Sequence, residues 1–511
     1  MTDAIQQGLV RRTAKDYLLY LPALLTSGVM SLLSVTVLSK VFRPAEYGNY
    51  VLASNLLVVL SMVTSLWLRG SIMRLVPQYQ QVGKIPELVG TLILAGGAFM
   101  ALVMVAGSAI LVANRVQWEG ELYQLYWIAL IGVPLMTVFN CGLAAYRITE
   151  RVTTFTAHSL IRVLGGFALG LVLAAPLHLG AKGMMLGIVG MLAITAGVQV
   201  IKGFGPLRTL AWPPRFAMPI LRDMLAYNLP IVAMNLAAMI YSVADRYLIK
   251  GFYSSHEVGL YSVSYTVAEG SILLVARTLM TTAEPLIYHT WEQHGARITY
   301  QFIESLSRYY FIMATPVLIG LVLLRTELIT LVSTAEYVDH SLTVLCVGGA
   351  LFVHGYTLII GSVFDATKRT VIPLVNSVIA ALFVLGANMV LLPRFGYQAA
   401  AWTTLGSHVL LLALASFAAR RLVPLRFGGS HLWRVPLAAA GMGALIYALR
   451  PLLASRIIGL VALVALGAAV YGGLILAVGV LTRQERHALS QRFSRLAMQL
   501  GRLSLLLHRL V

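Results

Sequence analysis

Several ionisable side chains interrupt long apolar segments of this sequence. Arg162 lies about ten residues into one such segment, and His158 precedes it by one helical turn on the same face. Arg277 lies in a later apolar segment, two turns after Glu269. A charge at the centre of a bilayer costs about 2.5–3.5 kcal/mol on insertion scales, so these residues are expected to face an interior and to have a function. Arginine stays protonated and presents a fork of N–H donors, which suits the binding of anionic oxygens.

Two pairs of charged residues have more than one interpretation. The eight-residue spacing of Glu269 and Arg277 turns their side chains about 80° apart on an ideal helix, which weakens the prediction of a static ion pair. Asp245 and Arg246 are adjacent, so their side chains point in different directions and are not expected to neutralise each other. Glu269, Asp245, Arg246 and His158 are candidates for ion coupling or gating, and structural pairing is the alternative.

Arg69 and Arg74 lie together at the end of another apolar segment. They are candidates for the cytoplasmic mouth of a cavity, and the alternative is that they only anchor the orientation of the chain. Cys141 and Cys346 have no Cys or His at ligand spacing, so neither a disulfide nor a metal site is predicted.

The composition is that of a membrane protein. Of 511 residues, 59% are hydrophobic and 11% are charged, whereas a soluble protein carries about 25% charged residues. Runs of roughly twenty apolar residues recur along the chain and predict an all-α polytopic membrane protein with about fourteen transmembrane helices. The connections are short and contain no phosphate-loop motif, so an ATP-hydrolysing module is not expected.

The distribution of Lys and Arg predicts the orientation. They cluster in the connections that become cytoplasmic when both termini are cytoplasmic, as the positive-inside rule requires. The net charge of +19 is therefore explained by topology, and no nucleic-acid partner is predicted.

An internal repeat divides the chain. The aligned pairs, from the first half to the second, are Leu21-Pro22 with Leu229-Pro230, Glu46 with Glu257, Gly48 with Gly259, Tyr50 with Tyr261, Gly180 with Gly396 and Gly190 with Gly406. We expect two six-helix lobes related by a pseudo-two-fold axis along the membrane normal, plus two extra C-terminal helices. The predicted parts are a cytoplasmic tail (1–16), an N-terminal lobe (17–203), a cytoplasmic linker (204–223), a C-terminal lobe (224–421), two additional helices (433–481) and a basic amphipathic cytoplasmic helix (482–511).

Three stretches resemble a known family. VFRPAEYGNYVLA, DRYLIKGFYSSHEVGLYSVSYTVAE and LPRFGYQAAAWTTLGSHV are similar to signatures of the polysaccharide-transporter branch of the multidrug/oligosaccharidyl-lipid/polysaccharide exporter superfamily. The resemblance covers about residues 10–425. It implies a Wzx-type flippase in the bacterial cytoplasmic membrane that moves an undecaprenyl-pyrophosphate-linked oligosaccharide from the inner to the outer leaflet, not an enzyme. Membrane lipids, a polysaccharide polymerase and the chain-length machinery are the further partners that it implies.

With that substrate, Arg162 and Arg277 become the candidate ligands of the pyrophosphate, because a lipid-linked pyrophosphate needs cations in a wet cavity. No cofactor is expected, and an H⁺ or Na⁺ gradient would drive transport. Two alternatives use the same fold. A flippase for the peptidoglycan lipid precursor would follow the same phosphate logic, whereas an ion-coupled drug/cation antiporter would favour acids and aromatic residues over arginines.

Overall fold

A computed structural model of the protein describes residues 30, 32–115, 120–202, 215–338, 342–422, 433–453 and 457–480. The predicted tail at 1–16, most of the first predicted helix and the predicted basic helix at 482–511 lie outside the described residues. The described residues form helices joined by short turns and contain no strand. This is expected of segments that cross a bilayer, because a helix satisfies its backbone hydrogen bonds internally.

The amino-terminal lobe contains seven helical segments. They are α1 (Leu32–Val41), α2 (Pro44–Gln81), α3 (Ile85–Ala113), α4 (Glu121–Ile148), α5 (Val152–Leu160), α6 (Gly166–Ala174) and α7 (Gly180–Ile201). A π-helical turn at Ile161–Gly165 joins α5 and α6 into one span. Within this lobe α2 packs on α4, α4 packs on α7, and α6 packs on α7.

The carboxy-terminal lobe follows the same plan. Its helices are α8 (Met218–Phe252), α9 (Ser255–Ala268), α10 (Leu274–Leu323), α11 (Arg325–Val332), α12 (Thr343–Ala366), α13 (Val371–Phe395) and α14 (Ala399–Arg420). A π-helical turn at Glu269–Leu273 joins α9 to α10. Here α10 packs on α12, α12 packs on α14, and α13 packs on α14, which repeats the order of contacts in the first lobe.

The helix count agrees with the prediction. Twelve helices of the described residues are long and apolar enough to cross a membrane. One of them, Ser255–Leu323, has 69 residues and breaks at Gly295, where φ is 72° and ψ is −172°, so it contains two of the predicted spans. The short helix α1 is the described end of the first predicted span. The all-α architecture with about fourteen helices is therefore confirmed.

The two additional helices, α15 (Arg434–Leu453) and α16 (Ile457–Val478), pack on each other and against α10. The Tyr471 hydroxyl donates a hydrogen bond to the Ile312 carbonyl at 2.8 Å, and Arg450 forms an ion pair with Glu327. These helices are attached to the carboxy-terminal lobe.

The repeat has structural counterparts in paired glycines. Gly180 is the first residue of α7 and Gly396 lies three residues before α14, and both have positive φ, 55° and 84°. These are left-handed conformations that glycine adopts without steric cost. The aligned glycines therefore make equivalent turns in the two lobes, and the two-repeat architecture is confirmed.

The turn between α1 and α2 and the turn between α8 and α9 lie at the same end of the molecule. We call these two turns the lips and this end the lip end; the opposite end is the mouth end. At the lip end a Cβ on Gly48 would lie 1.9 Å from the Ser255 carbonyl oxygen, and a Cβ on Gly259 would lie 2.1 Å from the Pro44 carbonyl oxygen. The two contacts are related by the repeat. Each lobe thus brings its glycine against the backbone of the other, and the lips are in contact.

Two tyrosines add hydrogen bonds across the lip end. The Tyr247 hydroxyl donates to the Leu52 carbonyl at 3.0 Å, and the Tyr337 hydroxyl donates to the Phe42 carbonyl at 2.8 Å. Both bonds join a residue of the carboxy-terminal lobe to the backbone of the amino-terminal lobe. The lobes are therefore sealed to each other at this end.

Candidate functional site

A basic cleft lies at the mouth end. It has a volume of about 530 Å³ and is lined by Arg69 and Arg74 from α2, Arg147 from α4, and Tyr227 and Asn228 from α8. All three arginine side chains are exposed to the cleft. Three guanidinium groups around one cleft form a strongly positive site, which suits a ligand with more than one negative charge.

Aromatic rings position two of these arginines. The guanidinium carbon of Arg74 lies 4.0 Å from the centroid of the Tyr227 ring, and that of Arg147 lies 4.9 Å from the centroid of the Phe155 ring. Stacking fixes the plane of a guanidinium group and leaves its edge available to acceptors. Arg74 is thus held across the boundary between the lobes, because Tyr227 belongs to α8.

The wall between α2 and α8 is a close helix contact. A Cβ on Gly70 would lie 2.0 Å from the Asn228 side-chain oxygen, so glycine is required for this approach. The Asn228 amide nitrogen donates to the Ser71 hydroxyl at 2.9 Å and to the Met224 carbonyl at 2.8 Å. A single buried amide therefore joins the two lobes beside the cleft.

An apolar groove lies on the other face of the same two helices. It has a volume of about 510 Å³ and is lined by apolar side chains of α2, α3 and α8 together with Phe216. Trp67 and Phe99 meet edge to face within it, with ring centroids 6.0 Å apart, and Leu225 and Leu229 expose their side chains there. The basic cleft and the apolar groove are thus separated only by the α2–α8 seam.

Arg162 lies in the π-helical turn of the amino-terminal lobe, away from this cleft. Its guanidinium carbon is 5.2 Å from the centroid of the Phe139 ring, and its Nε is buried without a hydrogen-bond partner. None of the described carboxylates forms an ion pair with it. His158 stands one turn away, with its ring 5.3 Å from that of Tyr146, and lines a separate groove with Lys202.

Glu269 and Arg277 form an ion pair, contrary to the angular expectation. Arg277 NH2 lies 3.0 Å from Glu269 Oε1. The reason is the π-helical turn at Glu269–Leu273, which inserts one residue into the helix and gives a spacing of eight the phase that a spacing of seven has in a regular helix. The Arg277 side chain is 62% exposed, and the neighbouring residues Thr278 and Thr281 are also exposed.

Asp245 and Arg246 also form an ion pair, which corrects a second expectation. Arg246 NH1 lies 3.2 Å from Asp245 Oδ1, and the Arg246 backbone N–H donates to the same oxygen at 2.8 Å. The Tyr261 hydroxyl donates to Asp245 Oδ2 at 2.5 Å, while Arg246 stacks over Tyr265 at 4.3 Å. Although adjacent side chains leave a helix in different directions, the long arginine side chain turns back. Both residues are buried rather than exposed at the surface of the lip end.

The predicted site residues thus fall into three groups. Arg69 and Arg74 meet in the cleft, whereas Arg162 and His158 lie deeper in the same lobe. The third group is in the carboxy-terminal lobe, where Glu269 is close enough to interact electrostatically with Arg246. Within the described ranges, no three His, Cys, Asp or Glu residues are grouped as metal ligands.

Sequence reasoning missed residues in both lobes. Arg147 was indistinguishable from an orientation anchor, since it ends an apolar segment as Arg69 and Arg74 do. Tyr227 carries no pattern of its own, and its partner Arg74 lies on a helix far away in sequence. His354 and His408 have no local pattern either, although their rings meet inside the carboxy-terminal lobe.

A family model described as "Polysaccharide biosynthesis protein" matches residues 37–342, which is more than half of the 511 residues. No curated protein sequence matches the chain significantly.

Solved structures of transporters share the fold. The lipid II flippase MurJ in its inward closed conformation superposes with a TM-score of 0.71 at 14% identity, covering 89% of this chain and 98% of that one. An inward-facing multidrug resistance MATE family transporter of the MOP superfamily gives a TM-score of 0.63 at 11% identity, covering 78% and 94%. The Vibrio cholerae MATE transporter VcmN gives 0.56 at 14% identity, covering 81% and 97%. The likeness establishes the fold, which this chain shares with these transporters.

Proposed function

The chain belongs to the polysaccharide biosynthesis protein family, and from this premise we propose that it is a flippase for an undecaprenyl-pyrophosphate-linked oligosaccharide. It would carry this lipid from the inner to the outer leaflet of the bacterial cytoplasmic membrane by alternating access, for export of O-antigen, capsule or exopolysaccharide. Both termini would be cytoplasmic, so the mouth end would face the cytoplasm and the lip end the outside. A polysaccharide polymerase and chain-length machinery would use the product.

The basic cleft is the observation that carries this proposal. Arg69, Arg74 and Arg147 surround a space of about 530 Å³ while the lips are in contact at the other end. A pyrophosphate offers several acceptor oxygens, and arginine binds them in two-pronged fashion. The arrangement fits a state that receives an anionic headgroup from the cytoplasmic side.

The apolar groove supports a lipid-linked substrate. A molecule with a charged headgroup and a long isoprenoid chain must keep the chain in apolar surroundings while the headgroup enters a polar site. The α2–α8 seam lies between the basic cleft and the groove containing Trp67 and Phe99. Opening of the Asn228–Ser71 contact would connect the two spaces, so the headgroup and the chain could occupy them together.

Deeper arginines would receive the headgroup next. Arg162 has an unsatisfied Nε, and Arg277 is exposed beside Thr278 and Thr281. We assign both to the pyrophosphate after it leaves the cleft. At Arg277 the phosphate would compete with Glu269, so substrate binding would release a carboxylate. An H⁺ or Na⁺ gradient would drive the cycle, with Glu269, Asp245, Arg246 and His158 as candidate coupling or gating groups.

Two other substrates use related logic. The structural likeness to a lipid II flippase favours a peptidoglycan lipid precursor as the second candidate, because it presents the same kind of pyrophosphate-linked headgroup to the cleft. The likeness to MATE transporters raises a drug/cation antiporter, but three arginines around the cleft repel a cationic substrate. The arginines therefore favour an anionic substrate over a cation.

Transport of a labelled lipid tests the proposal. The protein would be placed in vesicles with a fluorescent undecaprenyl-pyrophosphate-linked oligosaccharide, and the label in each leaflet would be followed with a membrane-impermeant quencher. We expect transfer between leaflets that the triple change Arg69→Ala, Arg74→Ala and Arg147→Ala lowers at least about 100-fold, given about 1.5–3 kcal/mol for each charged hydrogen bond.

Arg369→Ala is the matched control, because Arg369 is an exposed arginine at the mouth end outside the cleft. The same vesicles with labelled lipid II or a cationic dye separate the alternatives. Transfer of the dye without transfer of either lipid would reject the flippase. Equal loss of transport in Arg369→Ala and in the triple variant would reject the cleft as its binding site.

A further inference from the structure

A cluster of three rings lies in the carboxy-terminal lobe, outside the groups considered so far. The rings of His354 on α12 and His408 on α14 meet at right angles with centroids 5.0 Å apart. Tyr241 on α8 completes the cluster, with its ring 5.7 Å from His408 and 6.4 Å from His354. His408 is 2% exposed, while His354 is partly exposed, so water can reach only one of the two histidines readily.

The two histidines lie near the middle of the bilayer. His354 is 11 residues after the first residue of α12, Thr343, and His408 is 9 residues after the first residue of α14, Ala399. Both helices begin at the lip end. At 1.5 Å per residue these positions are about 14–17 Å deep, close to the midplane of a core about 30 Å thick. An ionisable pair at this depth indicates a function.

Hydrogen bonding leaves the pair able to accept a proton. His408 Nδ1 lies 2.8 Å from the Thr404 carbonyl oxygen, and since a carbonyl only accepts, this nitrogen carries the hydrogen. The other nitrogen of a neutral His408 ring is then basic. His354 Nδ1 is buried with no hydrogen-bond partner. Two imidazolium rings in contact would repel each other, so the pair is suited to one added proton rather than two.

Charged groups surround the pair on several helices. Asp245 of α8 attracts a proton on His408, whereas Arg277 of α10 opposes a proton on His354. Thr404 links the pair to the buried ion pair, because its hydroxyl lies 3.2 Å from the Tyr261 hydroxyl, which donates to Asp245. The groups that face the pair from the neighbouring elements are Tyr241 and Asp245 (α8), Tyr261 (α9), Glu269 (the π-helical turn) and Arg277 (α10).

We propose that His354 and His408 form a proton-binding site that couples proton movement to the transport of the anionic lipid. The coupling to lipid rests on the proposed function. A proton on His354 repels Arg277 and changes its contact with Glu269. A proton on His408 attracts Asp245 and competes with its bonds to Arg246 and Tyr261.

The consequence is a link between protonation and the lips. The Asp245 cluster lies on α8 and α9, whose connecting turn forms one lip. Loosening that cluster weakens the support of the turn, so protonation favours separation of the lips. The site therefore connects the Glu269–Arg277 ion pair to the Asp245 cluster that supports the lip end.

The distance between the lips tests the site without any substrate. Ala45 and His256, both exposed, would be changed to Cys and spin-labelled in a full-length chain in which Cys141 and Cys346 are replaced by Ser. Distances would be measured in lipid nanodiscs between pH 5 and pH 8.5. We expect the separated population to rise at least fivefold as the pH falls, and His354→Gln with His408→Gln to abolish that rise.

His289→Gln is the matched control, because His289 is an exposed histidine on α10 away from the cluster. The same short lip distance at pH 8.5 in all variants would show that they are folded, and His354→Gln alone serves if the double variant is not. A lip distance that responds to pH equally in the double variant, or not at all in the parent chain, would overturn the proposal.

Vesicle transport separates the coupling from the proposed function. A pH gradient should accelerate transfer of the labelled undecaprenyl-pyrophosphate lipid about tenfold in the parent protein, and the His354→Gln/His408→Gln variant should transfer it at the rate without a gradient. Transfer that no gradient accelerates would overturn the coupling and leave the flippase standing. A pH response of the lips without transfer of any lipid would leave the proton site standing, overturn its coupling to lipid and reject the flippase.

Discussion

The two lobes share one helical plan but arrange their charged residues in opposite ways. In the amino-terminal lobe, Arg162 has an unsatisfied Nε, and Arg69 and Arg74 are exposed in the cleft. In the carboxy-terminal lobe, Arg246 and Arg277 each form an ion pair with a carboxylate. A cation without an acid is suited to a ligand that arrives and leaves, whereas a paired cation fixes a conformation. The comparison assigns anion binding mainly to the first lobe and conformational control mainly to the second.

The π-helical turns sharpen this difference. Arg162 lies within one turn, Ile161–Gly165, and Glu269 begins the other, Glu269–Leu273. The two turns are in the fifth span and the eighth span, so they do not occupy equivalent positions of the repeat. Such turns are often found at functional sites. Each lobe therefore differs from the other at a π-helical turn that contains one of its charged site residues, Arg162 or Glu269.

The largest effect is expected from breaking the buried pair in the carboxy-terminal lobe. Asp245→Ala removes the carboxylate acceptor of both Arg246 and Tyr261 and leaves a buried cation without its carboxylate partner. We expect the free energy of unfolding to fall by about 3–5 kcal/mol, with transport lost as well. Thermal unfolding of the purified protein in detergent measures the change.

A double change separates loss of the pair from loss of the aspartate. Asp245→Leu with Arg246→Met replaces the pair by apolar side chains of similar size, which should restore most of the stability. Transport should stay low, because the connection through Tyr261 is still missing. Stability of Asp245→Ala within about 0.5 kcal/mol of the parent protein would contradict the assignment of conformational control to this pair.

The second largest effect is expected at Arg162, where the substitution should not lower the stability as Asp245→Ala does. Arg162→Met removes a buried charge that has no carboxylate partner among the described residues, so the melting temperature should stay the same or rise. Transport should fall about 10- to 100-fold, the equivalent of one charged hydrogen bond of about 1.5–3 kcal/mol. Arg162→Lys should lose most of the function, because a point charge does not replace the fork.

Transport and membrane levels measured together decide the role of Arg162. Near-normal polymer export in cells that contain Arg162→Ala would remove it from the phosphate path. A marked loss of folded protein in Arg162→Met would show that the guanidinium stabilises the lobe, and the contrast with Asp245 would then disappear.

The sequence predicted the parts of this arrangement that depend on local pattern. Hydrophobic runs predicted the helices, and aligned pairs such as Gly48 with Gly259 predicted the two repeats. It could not predict that the side chains of Glu269 and Arg277 lie on the same face of the helix, because the period of a regular α-helix does not hold across a π-helical turn. Contacts such as Arg74 with Tyr227 depend on which helices become neighbours in the bundle. That information is held in tertiary packing and not in any single segment.

A third effect is expected where the lobes are equivalent. Gly48→Ala and Gly259→Ala place a Cβ 1.9 Å and 2.1 Å, respectively, from a backbone carbonyl oxygen of the other lobe. In either variant the two lips have to move apart to relieve the clash. Overpacking of this kind costs about 1–3 kcal/mol, which corresponds to a shift of about 5- to 150-fold toward separated lips. Spin-label distances between cysteines placed at Ala45 and His256, in a chain in which Cys141 and Cys346 are replaced by Ser, measure the shift.

The repeat predicts that the two alanine variants behave alike. Gly251→Ala is the control at the same end, because a Cβ there meets nothing within 4 Å. A strong effect of Gly48→Ala without any effect of Gly259→Ala would show that only one lobe forms the seal, and the equivalence of the lips would be wrong.

The smallest effect on stability is expected at Arg277, where the two lobes become most alike in function. Its side chain is 62% exposed, so Arg277→Ala should change the free energy of unfolding by less than about 1 kcal/mol. Transport should nevertheless fall about tenfold or more, because in the proposed cycle the exposed arginine binds the pyrophosphate in competition with Glu269. A purely structural ion pair makes a different prediction, in which Glu269→Gln combined with Arg277→Ala restores both folding and transport. Polymer export, with membrane levels measured alongside, distinguishes the two: recovery in the double variant would leave Arg277 as a partner of Glu269 and confine anion binding to the amino-terminal lobe.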